Sequence, residues 1–238
     1  FDQYINNPMG KGSVANTVAQ RDAWKAAYKE KFDQINLREA GKINYFLYFD
    51  EKNNIYVVHA LIPSEVVKGF YYDTVIEFST TSSDATIDKD LTKYNVRFYS
   101  NDPSFVFTYM KVFHDNGMLI DWLKSKSPKQ AIKKDPKETN PYKIPGYVKS
   151  VYFAYLLMKG KGLFLKNAFK VYGKALNKKQ LESSIMHADK KIQLRIDLGE
   201  KVAKEKRKER KKNQKKDESI VKKVVDTVTR RPDRKSVV

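Results

Sequence analysis

Three histidines, His59, His114 and His187, and a complete absence of cysteine limit the chemistry open to this 238-residue chain. Without cysteine there is no thiolate nucleophile, no sulfur-ligated metal and no disulfide. The histidines fall in separate segments, none with a second histidine or a carboxylate four residues away, so the spacing of a histidine metal site is missing. Structural or surface roles are expected for all three. Asp84, Asp88 and Asp90 crowd one polar loop and could offer oxygens to a hard cation, but the spacing, glycine and terminal glutamate of an EF-hand are absent, and a solvated loop is the plainer reading. Asp189-Lys190-Lys191 contains the D-x-K fragment of metal-dependent nucleases, with no Pro-Asp pair upstream on a strand; a basic helix produces such triplets by chance. Met9-Gly10-Lys11-Gly12-Ser13 lacks the first glycine of a phosphate loop and any buried strand before it, and Gly160-Lys161-Gly162 reads as a turn carrying a cation. The sequence therefore predicts no catalytic residues, no metal and no cofactor: a non-enzymatic protein.

What remains is charge. Lys and Arg number 47 against 28 Asp and Glu, a formal +19 that asks for a polyanion or an acidic protein surface. The excess is localised. Residues 1–119 hold 13 basic and 15 acidic side chains, whereas residues 120–238 hold 34 and 13. Within residues 199–238 the count is 16 to 7, and phosphate binding by such a segment would be independent of base sequence and steep in salt. The cations expected to meet nucleic acid or a partner are Lys204, Lys206, Arg207, Lys208, Arg210, Lys211, Lys212, Lys215, Lys216, Arg230 and Arg231. The competing reading is a solvated helix laced by pairs four apart, such as Glu200 with Lys204 and Asp226 with Arg230. No Phe, Tyr or Trp follows Tyr172, so base-specific single-strand readout by this tail is not expected.

The elements that must carry these charges follow from periodicity. Residues 1–14, with Pro8, Gly10 and Gly12, read as an extended arm. A helix capped by Ser13 or Asn16 should follow, with Val18, Trp24, Tyr28, Phe32 and Ile35 as its stripe and Gly41 as its stop. Ile43–Phe49 and Ile55–Ile62, joined by the polar turn residues 50–54, predict a hairpin. Phe70–Ser79 and Tyr94–Ser100 supply two more strands of a small antiparallel sheet or barrel. Helix is the reading after Pro103 up to Asp115-Asn116-Gly117, and Met118–Leu123 opens another element. Residues 15–127 thus form an α+β body.

Pro128, Pro136, Pro141 and Pro145 break residues 128–176 into a linker followed by buried helices over Lys149–Lys159 and Leu163–Tyr172. From Asn177, a good N-cap, a long basic helix is expected to about residue 216, with Leu181, Ile185, Ala188, Ile192, Val202 and Ala203 as a stripe that Arg195 and Gly199 interrupt. Lys204–Lys216 is charged on every face and cannot form a core. Residues 217–238 read as a short amphipathic docking helix, with Ile220, Val221, Val224, Val225 and Val228 on its apolar side, and a basic end. The longest apolar run, Val151–Met158, is far below the ~20 residues of a membrane span. Residues 2–7 have neither the basic nor the apolar region of a signal peptide.

The stretch Tyr94-Asn95-Val96-Arg97-Phe98-Tyr99-Ser100-Asn101-Asp102-Pro103-Ser104-Phe105-Val106-Phe107-Thr108-Tyr109, with Asn116-Gly117-Met118-Leu119-Ile120 and Asn140-Pro141-Tyr142, resembles structural proteins encoded by tailed bacteriophages of low-GC hosts, over about residues 94–160. The resemblance implies a virion component in the capsid, portal vertex or neck, assembled in the host cytoplasm and present in many symmetric copies; it transfers no individual functional residue. Its expected partners are other virion proteins, further copies of the chain and double-stranded DNA, with no membrane. The alternative is a nucleic-acid-binding accessory of phage replication or DNA packaging.

Overall fold

A computed structural model describes residues 18–81, 89–133, 140 and 148–229, with side chains described between residues 22 and 209. The architecture is α+β, as the periodicity implied. Among the described residues there are seven α-helices and one five-stranded sheet.

Helix α1 (Val18–Arg38) ends where Ala40 and Gly41 adopt left-handed φ of 51° and 70°, a conformation that glycine enters without a steric penalty. Its expected stripe is graded: Phe32 and Ile35 are buried, Tyr28 is half-buried and Trp24 is 38% exposed. Strands β1 (Tyr45–Asp50), β2 (Ile55–Pro63), β3 (Tyr71–Ser79) and β4 (Asn95–Ser100) form the predicted antiparallel run. The sheet is open, not a barrel, and it is mixed. A two-residue strand, β5 (Lys174–Ala175), adds in parallel to β1, so the order is β4-β3-β2-β1-β5. Two residues are too few to leave an alternating pattern in the sequence.

Partners across the sheet share a face. One face aligns Tyr56, Val58 and Ala60 with Phe78, Ile76 and Thr74, and continues to Val96, Phe98 and Ser100. The other aligns Val57, His59 and Leu61 with Glu77, Val75 and Asp73, then Arg97 and Tyr99. The second face is the polar one, yet its central residues are as buried as those of the first. Both faces are therefore covered.

After β4 comes a π-helical turn (Phe105–Tyr109) running into α2 (Met110–Asp115), then a 3-10 segment (Asp121–Lys126) and α3 (Lys129–Lys133). Helix α4 (Lys149–Lys161) packs on β2, β3 and β4 and against α1, where the Phe32 and Phe153 rings lie 5.6 Å apart. Helix α5 (Lys166–Tyr172) leads into β5, and α6 (Lys178–Ser184) is capped by the Asn177 carboxamide, which accepts the Gln180 N–H at 3.0 Å. The helix expected as one piece from Asn177 is interrupted at Ile185–His187. The long helix proper is α7 (Ala188–Thr229), 42 residues or about 63 Å. It runs without a break through residues 216 and 217, so Ile220, Val221, Val224, Val225 and Val228 lie on the same helix rather than on a separate one. Chain contacts divide the molecule into residues 1–195 and 196–238.

Because Phe32 is 8% exposed and meets Phe153 while Trp24 is 38% exposed, Phe32→Ala should lower unfolding free energy by about 3–5 kcal/mol and Trp24→Ala by a smaller amount. Chemical denaturation of both variants checks the ordering.

Candidate functional site

Two polar clusters lie inside residues 1–195, and both involve the first turns of α7. In the first, Asp73 on β3 is 5% exposed and fully engaged. His59 Nε2, on the neighbouring strand β2, meets its Oδ1 at 2.9 Å, and the Asn101 carboxamide N–H donates to its Oδ2 at 2.7 Å. Asn101 Oδ1 in return accepts the Asp73 backbone N–H at 2.8 Å, and its amide also donates to the Met186 carbonyl at 3.3 Å. Lys191 of α7 places its ammonium 3.6 Å from Oδ2 and 5.1 Å from the Phe70 ring centroid, a cation held between a carboxylate and an aromatic face. Burial pushes the Asp73 carboxyl up, but the His59 hydrogen bond, the Lys191 charge and the Asn101 hydrogen bond outweigh it and hold Asp73 below the usual carboxylate range.

In the second cluster Asp102 is buried directly after the sheet and accepts the backbone N–H groups of Ser104 and Phe105 at 2.8 and 3.4 Å, starting the π-helical turn. Here burial wins over the opposing charges of Lys149 and Arg195, and the carboxyl is pushed up. Arg195, two turns of α7 after Ala188, acts on both Asp102 and the Tyr72 hydroxyl, while its Nε is buried without a hydrogen-bond partner. Near the same sheet face, Glu77 accepts the Trp122 indole N–H at 2.7 Å, and Tyr99 donates to the Lys126 carbonyl at 3.0 Å. Burial raises the Tyr99 phenol well above the usual range. These contacts seat the 3-10 segment and the α6–α7 junction on the polar face of the sheet.

A histidine–carboxylate pair is half of a hydrolytic triad, so the missing half matters. His59 bonds to no hydroxyl among the described residues; the Ser100 and Thr74 hydroxyls lie on the opposite face of the sheet and bond to each other at 3.1 Å, and His59 itself is 5% exposed. The pair is built as an anchor: it fixes where α7 begins.

The charged positions read from the sequence are distributed along α7. Lys204, Lys206, Arg207 and Lys208 are exposed, and Lys204 forms the expected pair with Glu200, at 4.0 Å. Arg210, Lys211, Lys212, Lys215 and Lys216 continue on the same helix, whereas Arg230 and Arg231 lie outside the described residues. Asp84 and Asp88 of the acidic loop also lie outside them, and Asp90 caps the 3-10 turn Leu91–Lys93 by accepting from the Thr92 N–H and hydroxyl at 2.9 and 2.7 Å. No group of three or more His, Asp or Glu side chains suited to a metal occurs among the described residues. Of the D-x-K triplet, Asp189 takes its backbone N–H to His187 Nδ1 at 3.3 Å and Lys191 turns inward to Asp73. The sequence reading missed Lys191 as an anchor and took Arg195 as a flaw in the stripe; both are half-buried and act on carboxylates about 90 to 120 residues earlier, Asp73 on β3 and Asp102 just after β4. No helix of the described residues is long and apolar enough to cross a membrane.

Comparison with protein-family models, curated proteins and solved structures finds no match to this chain.

The two aspartates should respond to acid with opposite sign. Asp73, held low, contributes stability that is present above the unfolded carboxylate range and lost as pH falls through its folded value. Asp73→Asn should therefore cost about 1–3 kcal/mol at pH 7, with the deficit closing toward pH 3. Asp102, held high, favours the protonated form in the fold, so its burial weakens the fold as pH rises through that value. Asp102→Asn, which keeps the capping oxygen, should match or exceed the parent at pH 7 and lose that advantage in acid. Denaturant melts from pH 3 to pH 7 decide; equal signs for both variants contradict the assignment.

Proposed function

We propose that the protein is a non-enzymatic structural component of a tailed-bacteriophage virion, in the capsid, portal vertex or neck. Copies of the chain and other virion proteins bind through its terminal segments, and its basic helix lies against packaged double-stranded DNA. The observation that carries this reading is the second half of α7. Residues 204–219 contain nine Lys or Arg and no apolar side chain, on a helix that continues for ten further residues to Thr229. A helix polar all round has no core of its own, and most helical stability in proteins comes from packing, so this segment calls for an external partner. Ile220, Val221, Val224, Val225 and Val228 supply an apolar stripe at its end for docking on a neighbour. The resemblance of residues 94–160 to phage structural proteins supports the same reading.

The second reading, a nucleic-acid-binding accessory of replication or packaging, is favoured by the density of cations over Lys204–Lys216, which suits phosphate contact in its own right. The two differ in what holds copies together. Light scattering of the purified chain at low and high salt, with and without duplex DNA, is expected to give a defined oligomer without DNA. A monomer whose mass rises only with DNA at low salt would transfer the assignment to the accessory reading.

A further inference from the structure

Residues 139–181 form a second basic stretch of the sequence, distinct from residues 199–238. From Thr139 to Leu181 the chain has nine lysines and no Asp or Glu, and seven of the lysines fall between Lys159 and Lys179. Two of these have partners in the fold: Lys170 pairs with Glu51 at 2.6 Å, and Lys166 lies 5.4 Å from the Tyr56 ring centroid. Lys159, Lys161, Lys174, Lys178 and Lys179 are exposed and form no ion pair among the described residues, although the Lys178 charge reaches Asp50 at the end of β1.

Apolar side chains are exposed in the same stretch. Leu165 is 57% exposed, Val171 67% and Tyr172 76%. Tyr172 makes no ring contact or hydrogen bond among the described residues, so folding gives no account of an aromatic there. Its backbone is nonetheless fixed. A Cβ on Gly173 would meet the Phe169 carbonyl oxygen at 2.4 Å and Phe49 Cδ1 at 3.2 Å, so only glycine permits the chain to close on β1. The Gly173 N–H donates to the Phe169 carbonyl and the Leu176 N–H to the Phe49 carbonyl, each at 2.8 Å. An exposed tyrosine on a constrained backbone between Lys170 and Lys174, at the β5 edge of the sheet, has the composition of a single-strand platform: a ring on which a base stacks, with cations spaced along the phosphates.

We propose that the lysine-rich stretch from the end of α4 through α5 to β5, centred on the exposed Tyr172 and including Lys159, Lys161 and Lys174, binds single-stranded nucleic acid independently of α7. This rests on the nucleic-acid contact of the proposed function but uses other residues and another form of the ligand. The test uses the full-length chain with its tail weakened by Lys204→Gln, Lys206→Gln, Lys208→Gln and Lys211→Gln, and a fluorescent oligothymidylate of about 20 nucleotides. That background should bind the strand and prefer it to a duplex of equal length. On it, Tyr172→Ala should weaken binding by about fivefold or more while Tyr172→Phe retains it. The triple variant Lys159→Gln, Lys161→Gln, Lys174→Gln should lower the slope of log affinity against log salt by about 2. No binding by the tail-weakened chain, preference for duplex, or indifference to Tyr172→Ala and to the triple variant would each overturn the proposal. The oligomer mass without DNA is untouched by these outcomes, so failure of this surface and failure of the virion assignment are read separately.

Discussion

A single buried carboxylate, Asp73, organises the polar half of this molecule. An ionised aspartate inside a protein is costly unless every lone pair finds a donor, and here the donors come from elements far apart in the chain. His59 reaches it across the sheet, Asn101 from the exit of β4, and Lys191 from α7. Asn101 extends the network to the Met186 carbonyl, in the break between α6 and α7. Satisfying one charge thereby sets the register of a helix start against a sheet. The apolar side chains Leu181, Ile185 and Ala188, all buried, supply the bulk attraction that the network directs.

From that anchor the division of labour follows. Residues 1–195 have a continuous apolar cluster and hold the beginning of α7, so helical structure there needs no help from its own composition. Residues 196–209 are exposed or half-buried and mostly charged, and that portion gains its stability from continuity with the anchored turns and from whatever binds it. Salt screens the repulsion among its cations but also the attraction to a polyanion, which is why association state, rather than melting temperature, separates the functional readings.

Much of the architecture was legible because its signals are local. The hairpin showed itself by β-branched and aromatic runs around a polar turn, α1 by its aromatic stripe and glycine stop, and α4 by an apolar run after a proline-rich linker. The misses were tertiary. The break at Ile185–His187 contains neither proline nor glycine; Asn101 bonds to the Met186 carbonyl within it, and Lys191 just after it binds Asp73. β5 is two residues long and exists only because Gly173 lets the chain fold onto β1. In FYYDTVIEFS the alternation placed Asp73 and Glu77 on a face that could equally have been solvated; their burial depends on Trp122, His59 and Lys191, which local periodicity cannot pair with them. The basic helix could be read from composition, but its anchors could not.

The most direct measurement of this account is a double-mutant cycle between Asp73→Asn and Lys191→Met, followed by equilibrium denaturation at pH 7. If the carboxylate joins the sheet to α7, the two substitutions are coupled by about 0.5–3 kcal/mol, and the double variant is less destabilised than the sum of the singles. Additive losses, with no coupling beyond the error of the measurement, would contradict it and leave apolar packing alone as the seat of the helix.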